Sequence, residues 1–341
     1  MSELYVWQQA LWKQLTQERA LQSHALLLKG KQGIGKRDFA RNFAQWLLCS
    51  QPTEQHLACG QCNSCNWFIQ NTHPNFYQIE PEALTESTHE SSQPTPSTKA
   101  KKKPSLQINI GQIRQLSDFV NLSGHQSGYR IILIHPAESM NLAAANALLK
   151  KLEEPPARVL FILISHRPQQ LLPTVRSRCQ QIVMPIADSS TAIDWLKQQD
   201  VQNPEACLAA AGYAPLHAAT SNDSEQSLQH AQFISKLSMQ ADFDPIMLAQ
   251  TMQHWELSTI VDWHQKWCYD LLSFNTTGKI RYNLAQSEAI QHLASKIDPK
   301  KLATYSRQLI KTQQLSRHPL NARLFLEEML ISYQQILSTY S

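Results

Sequence analysis

The chain has 341 residues, 42% of them hydrophobic and 17% charged, with a formal charge of +4. That much apolar material excludes a disordered chain, and at about 100–200 residues per domain the length predicts two or three domains. Residues 1–7 show no basic patch followed by an apolar run and no stretch approaches a membrane span, so neither a signal peptide nor a transmembrane segment is expected; the mild positive balance permits contact with nucleic acid without arguing for it.

Ala25 to Leu28 is a short apolar run that predicts a strand, and it feeds the sequence Gly30-Lys-Gln-Gly-Ile-Gly-Lys-Arg37. Lys36 to Leu48 then carries Phe39, Phe43, Trp46 and Leu47 at helical spacing. A glycine-rich turn between strand and helix is the context of a phosphate-binding loop. Gly30, Gly33 and Gly35 let the backbone curl so that its N–H groups can cradle phosphates, and Lys36 reaches the outer ones. The position that should supply a magnesium-holding hydroxyl is Arg37, whose guanidinium has no lone pair to offer a cation.

Cys49, Cys59, Cys62 and Cys65 follow that helix as a C-x9-C-x2-C-x2-C cluster, while Cys179, Cys207 and Cys268 are scattered. Without a secretion signal, such a cluster points to metal rather than disulfides. Four thiolates satisfy tetrahedral zinc and leave no position for water or substrate, which makes the site structural. One alternative is an iron–sulfur cluster, whose motif would continue with a cysteine where this chain has Ile69 and then a proline; the other is free thiols.

Phe76 to Ile79 predicts a strand. From Glu82 to Pro104 the composition collapses into Ser, Thr, Glu, Pro and Lys, ending in Lys101, Lys102 and Lys103, and predicts a flexible surface loop whose lysines could touch DNA. Asn109 can cap a helix whose Ile110, Ile113, Leu116 and Val120 share one face. Arg130 to Ile134 is wholly apolar after its first residue and β-branched, the pattern of a strand buried on both faces. In ATPases with this loop such a strand ends in acids that hold magnesium and orient water. Here it ends in His135 and Pro136, and Glu138 lies too far along to be assumed a substitute. Two losses from one metal site favour an ATPase-like protein that does not hydrolyse.

A helix from about Asn141 to Glu154 is stopped by Pro155 and Pro156, and Val159 to Ile164 predicts another buried strand. Alternation of this kind predicts an α/β fold with a parallel sheet flanked by helices. After Ser177, Arg178 and Cys179 comes a brief strand near Ile182, and the remainder is helical, with Leu302, Tyr305 and Leu309 as one stripe and Leu320, Leu324 and Met329 assigned to another.

The stretch Asn146-Ala-Leu-Leu-Lys-Lys-Leu-Glu-Glu-Pro-Pro156, the Ser177-Arg-Cys179 triplet, the cysteine insertion after the loop helix and Thr72-His-Pro-Asn75 together resemble the bacterial clamp-loader branch of the AAA+ proteins. The specific motifs cover about the first 220 residues; the remainder matches in length, helicity and the neighbourhood of Asn321 to Glu328. The resemblance implies a P-loop AAA+ domain over 1–183, with a zinc module at 49–65 and a flexible insertion at 82–105. It further implies a small helical lid over 184–222 and an all-α oligomerisation collar over 223–341.

Clamp loaders are rings whose nucleotide sites lie between subunits, so the resemblance implies that Arg178 enters a neighbour's site in trans. It places a sensor arginine in a lid turn that here reads Ala211 to His217, with Pro215 in the arginine's place. The implied role is a stator: a cytoplasmic, non-hydrolysing subunit of a replicative polymerase assembly. Its partners would be the motor subunits (gamma or tau), a delta subunit, the sliding clamp and primed DNA, with nucleotide bound weakly or not at all. Two other readings stand beside it: an active P-loop ATPase with a substitute metal ligand, and a zinc-stabilised DNA-binding module.

Overall fold

A computed structural model describes residues 4–17, 23–86, 104–121, 128–221, 225–239, 243–316, 318 and 320–337. Its contacts divide the chain into two units, Met1–Asp188 and Ser189–Ser341.

The first unit is a five-stranded parallel sheet in the order β2-β3-β4-β1-β5, formed by β1 (Ala25–Lys29), β2 (Phe76–Ile79), β3 (Arg130–Ile134), β4 (Val159–Ser165) and β5 (Gln180–Val183). Its helices are α1 (Gln9–Gln17), α2 (Lys36–Leu48), α3 (Asn63–Ile69), α4 (Glu82–Glu86), α5 (Ile110–Asn121), α6 (Leu142–Glu153) and α7 (Pro173–Ser177). Successive strand residues point to opposite faces, and the two faces have separate cores. Leu27, Ile132, Ile134, Phe161 and Leu163 pack with Ile113, Leu116, Leu148 and Leu152 of α5 and α6. On the other face Leu26, Leu28, Ile131, Leu133, Leu160, Ile162 and Ile164 pack with Phe39 and Phe43 of α2 and Trp12 of α1. All seven residues of β4 are buried, as its unbroken apolar run requires.

Asn109 caps α5 as expected: its side chain accepts from Gln112 N at 3.1 Å while the Gln112 side chain accepts from Asn109 N at 3.0 Å. Asn141 caps α6 by accepting from Ala144 N. Two features depart from the sequence reading. Helix α1 was not foreseen; its Gln-rich surface hides a buried face of only Trp12 and Leu15. The low-complexity stretch expected to be loop from Glu82 onward begins with the short helix α4, and Lys101 to Lys103, with most of the 82–105 insertion, lie outside the described residues.

The second unit is all helical: α8 (Ser189–Gln198), α9 (Pro204–Ala210), α10 (Pro215–Ser221), α11 (Glu225–Ser238), α12 (Pro245–Met252), α13 (Leu257–Thr277), α14 (Ser287–Ala294), α15 (Pro299–Leu315) and α16 (Ala322–Leu337). Leu302, Tyr305 and Leu309 form the buried stripe of α15. The second stripe is corrected. Leu320 precedes α16 and Leu324 lies on its outer face, both exposed, whereas Phe325, Leu326, Met329, Leu330 and Tyr333 are buried. Among the described residues, no helix is long and apolar enough to cross a membrane.

A polar thread runs through this helical core. Trp267 Nε1 donates to Tyr333 Oη at 2.8 Å, and Tyr305 Oη donates to the Met329 carbonyl at 2.7 Å. Tyr305 Oη must therefore accept from His264 Nε2, 3.1 Å away, which fixes the neutral tautomer of that ring. His264 is fully buried, and burial pushes its pKa down to about 3. The unfolded chain takes up a proton near pH 6.5 that the folded unit refuses, so stability is lost as the pH falls below 6.5, at about 1.4 kcal/mol per pH unit. Denaturant titrations at pH 6.5 and pH 5 are expected to differ by about 2 kcal/mol from this residue, the acid sample being weaker.

Candidate functional site

Parallel strands deliver the site. In chain order, the residues immediately after β1, β2, β3 and β4 are Gly30, Glu80, His135 and His166. The carboxyl ends of a parallel sheet are where α/β proteins place ligands.

The loop has the expected curl. Gly33 and Gly35 have φ of 78° and 85°, values a side chain resists. The N-terminal segment closes over it: Trp7 Nε1 donates to the Ile34 carbonyl at 3.1 Å, and Gln8 Nε2 donates to the Ile34 and Gly35 carbonyls at 2.9 and 3.0 Å. A Cβ on residue 35 would lie 2.5 Å from the Tyr5 ring and 2.8 Å from Gln8 Nε2. Gly35→Ala is thus expected to lower the stability of the first unit by about 1–3 kcal/mol, from backbone strain with the clash adding to it. The midpoint of its chemical denaturation measures this.

Lys36 is buried, and its ammonium donates to the carbonyls of Gly30, at 2.7 Å, and Lys31. Burial lowers its pKa to about 8, against the opposing charge of Glu138. This lysine is thus folded onto its own loop, still protonated at neutral pH.

Arg37 points to Glu80, with Nη2 3.2 Å from its Oε1. Glu80 Oε1 also lies 3.3 Å from His135 Nδ1, and His135 Nε2 lies 3.2 Å from His166 Nε2. Burial alone would raise the Glu80 pKa, but the His135 hydrogen bond and the Arg37 charge together hold it below the usual carboxylate range. A carboxylate only accepts, so His135 carries its proton on Nδ1, and for neutral rings His166 then donates to His135 Nε2. Glu138 Oε1 accepts from the backbone N–H groups of His166 and Arg167 at 2.9 and 3.2 Å, capping the turn after β4. The sequence reading missed Glu80, His166 and the clamp of Tyr5, Trp7 and Gln8. A lone acid directly after a predicted strand was the only available signal, and it pointed to Glu80.

The four cysteines come together. Cys49 Sγ lies 3.6 Å from both Cys59 and Cys65 Sγ and 3.9 Å from Cys62 Sγ, and Cys59 Sγ lies 3.9 Å from Cys65 Sγ. Zinc–sulfur bonds of about 2.3 Å at tetrahedral angles put the sulfurs about 3.8 Å apart, so the donor set fits a closed four-thiolate zinc site. Backbone N–H groups of Cys59, Cys62 and Cys65 point at Cys49, Cys59 and Cys62 Sγ at 3.3–3.4 Å, the arrangement that favours thiolates. Cys62 is also the N-cap of α3.

His73 of the Thr72-His-Pro-Asn75 motif braces this module. Its Nδ1 accepts from Asn75 N at 3.0 Å, so its Nε2 donates to Ser64 Oγ at 2.8 Å, and Ser64 in turn donates to the Leu48 carbonyl at 2.6 Å. The chain thereby ties α2, α3 and the entry to β2 together.

Arg178 stands elsewhere, at the end of α7. Its Nη1 donates to the Thr174 carbonyl at 3.0 Å and its Nη2 lies 2.6 Å from Glu153 Oε1. Neither partner belongs to the loop, whereas Cys179 beside it is buried. In the turn from Ala211 to His217, Gly212 and Tyr213 adopt left-handed backbone and Pro215 opens α10.

Comparison with known proteins places this geometry. The family model described as DNA polymerase III, delta subunit, matches residues 7–187, and the model of its C-terminal region matches residues 225–335. The chain is 34% identical to DNA polymerase III subunit delta' of Pseudomonas aeruginosa, with 98% of this chain and 99% of that protein covered. It is 30% identical to the Yersinia pestis protein of the same name, over 98% of this chain and 96% of the other. Among solved structures, a gamma subunit-related protein of DNA polymerase III from Thermotoga maritima matches at 16% identity and a TM-score of 0.42, covering 97% of this chain and 99% of that one.

Proposed function

The chain belongs to the DNA polymerase III delta-prime family, and from that premise we propose that it is the non-hydrolysing subunit of a clamp loader, completing a neighbour's nucleotide site while running none of its own. One observation carries this reading: where magnesium ligands would stand, there is an Arg37–Glu80 ion pair backed by His135 and His166. Magnesium takes oxygen donors in a near-octahedral shell. A guanidinium beside the buried Glu80 repels the ion and engages a carboxylate that could have received it. The curled loop and Lys36 leave weak nucleotide binding, because the backbone cradle does not depend on metal.

Arg178 supplies the trans function. An arginine aimed at a transferring phosphoryl group offsets the negative charge that develops there. The exposed end of α7 suits delivery to another chain. Cys49, Cys59, Cys62 and Cys65 would hold one structural zinc, which supplies a cross-link between α2 and α3 and no chemistry. Residues 184–222 would serve as lid and 223–341 as collar, both from Ser189 onward within the second unit. The partners are the motor subunits (gamma or tau), a delta subunit, the sliding clamp and primed DNA, within the DNA polymerase III holoenzyme of the bacterial cytoplasm.

The purified chain with magnesium and ATP tests the non-hydrolysing half. No turnover above buffer is expected, and clamp loading by the other subunits on primed DNA should require the chain. Metal-dependent turnover by the chain alone would favour an active ATPase instead.

A further inference from the structure

We infer that Glu153 is the positioning residue for Arg178, holding the guanidinium in the plane from which it meets a neighbour's phosphate. The inference rests on the trans role proposed above and deepens it. Glu153 is the last residue of α6, followed by Glu154 and the proline pair. An acid at that end faces the negative pole of the helix dipole and is unfavourable there on local grounds. Lys150 and Lys151 already supply the cations that a helix C-terminus favours. Glu153 thus has a better partner than its own helix, and that partner is Arg178, whose Nη2 sits 2.6 Å from Glu153 Oε1.

The geometry is that of a two-point mount. Nη1 donates to the Thr174 carbonyl and Nη2 to Glu153. Two bonds to different terminal nitrogens fix the plane of the group, which one bond would leave free to swing. A guanidinium has five N–H donors, so three remain for another ligand. Among the described residues none of those three meets a partner, and the Arg178 side chain is 35% exposed. The arrangement presents a charged fork with its rotation already restrained, lowering the entropy lost on reaching a phosphate. The pairing also explains why α6 and α7 belong to one device: the acid at the end of one carries the arginine at the end of the other.

The test is a double-mutant cycle in the reconstituted assembly of motor subunits, delta subunit, this chain, clamp and primed DNA, read by single-turnover ATP hydrolysis. Glu153→Ala is expected to lower the rate constant about 10- to 100-fold, the scale of a misplaced catalytic group. The ATP concentration for half-maximal rate should move less than about 2-fold, as for a group that acts only in the transition state. Glu153→Gln, which still accepts a hydrogen bond, should recover most of the rate. In the Arg178→Ala background, Glu153→Ala should add nothing.

A Glu153→Ala rate equal to wild type, beside a collapsed Arg178→Ala rate, overturns the positioning role and leaves the trans arginine standing. Losses that multiply in the double variant also overturn it, since Glu153 would then act through something other than Arg178. An Arg178→Ala assembly that hydrolyses normally removes the reading beneath it as well. Assembly size and thermal melting of each variant separate these outcomes from misfolding.

Discussion

Replacing Arg178 by alanine is expected to lower hydrolysis at the site it enters by about 10^3- to 10^5-fold, while this chain keeps its fold and its place in the assembly. The size follows from the trans role proposed for the residue. A guanidinium delivered to a water-poor interface meets charge that grows as the γ-phosphoryl group leaves, so the interaction is stronger in the transition state than before it. The cost to the chain itself is small by comparison. Arg178 makes one bond to Thr174 and one exposed ion pair to Glu153, and surface pairs of that kind contribute about 0–1 kcal/mol. Arg178→Lys should not rescue the rate, because an ammonium is a point charge without the planar fork. Single-turnover hydrolysis in the assembly, with analytical ultracentrifugation to confirm its composition, measures both effects.

Stripping the metal is the second large change. One zinc per chain is expected, falling to none in Cys65→Ala or Cys62→Ala. Free structural zinc modules gain about 10–16 kcal/mol from the metal. Here the module keeps other supports. Phe68 is buried beside Phe76, and His73, Ser64 and the Leu48 carbonyl form a hydrogen-bonded chain beneath it. The loss should therefore be smaller than in an isolated finger, about 3–5 kcal/mol, the range for breaking a buried charged network. It should appear as a lower melting temperature of the first unit, with elemental analysis confirming the ion's absence. A chain that holds no zinc yet melts at the wild-type temperature would show that the cysteines serve some other purpose.

Much of this was legible before any coordinates. The strands announced themselves because a sheet covered on both faces demands unbroken apolar runs, and Ile131 to Ile134 and Val159 to Ile164 supply them. The loop and the cysteine cluster were readable because glycine and cysteine each do what few other residues can. Pairing across the sheet was not readable. Glu80 meets Arg37 from 43 positions away and His135 from 55, and nothing local marks an acid as the partner of either. The sequence could show that no hydroxyl follows Lys36 and no carboxylate follows Ile134. It could not show that an ion pair and two imidazoles had taken their place.

The N-terminal clamp was hidden for a related reason. Residues 8–17 are mostly polar, and the buried face of α1 consists of Trp12 and Leu15, too little periodicity to argue a helix. On α16 the apolar residues were seen but their register was misjudged. Starting the stripe at Leu320 put Leu324 inside, whereas the helix begins at Ala322 and turns Leu324 outward. Helix ends are set by caps and neighbours, and Asn321 Oδ1, which accepts from Leu324 N at 3.2 Å, is the cap that sets this one.

The two positions proposed for this chain, a retired loop at Lys36 and a trans arginine at Arg178, can be separated in a single comparison. Assemblies containing Lys36→Met and Arg178→Ala versions of the chain are run side by side, with all other subunits unchanged, and ATP turnover on clamp and primed DNA is recorded. If the chain completes another subunit's site and runs none of its own, the Lys36→Met assembly should turn over within about 2-fold of wild type, while the Arg178→Ala assembly loses the hydrolysis that depends on this chain. Loss of turnover with Lys36→Met and none with Arg178→Ala would contradict it, placing working chemistry in the loop that Arg37, His135 and Pro136 had marked as retired.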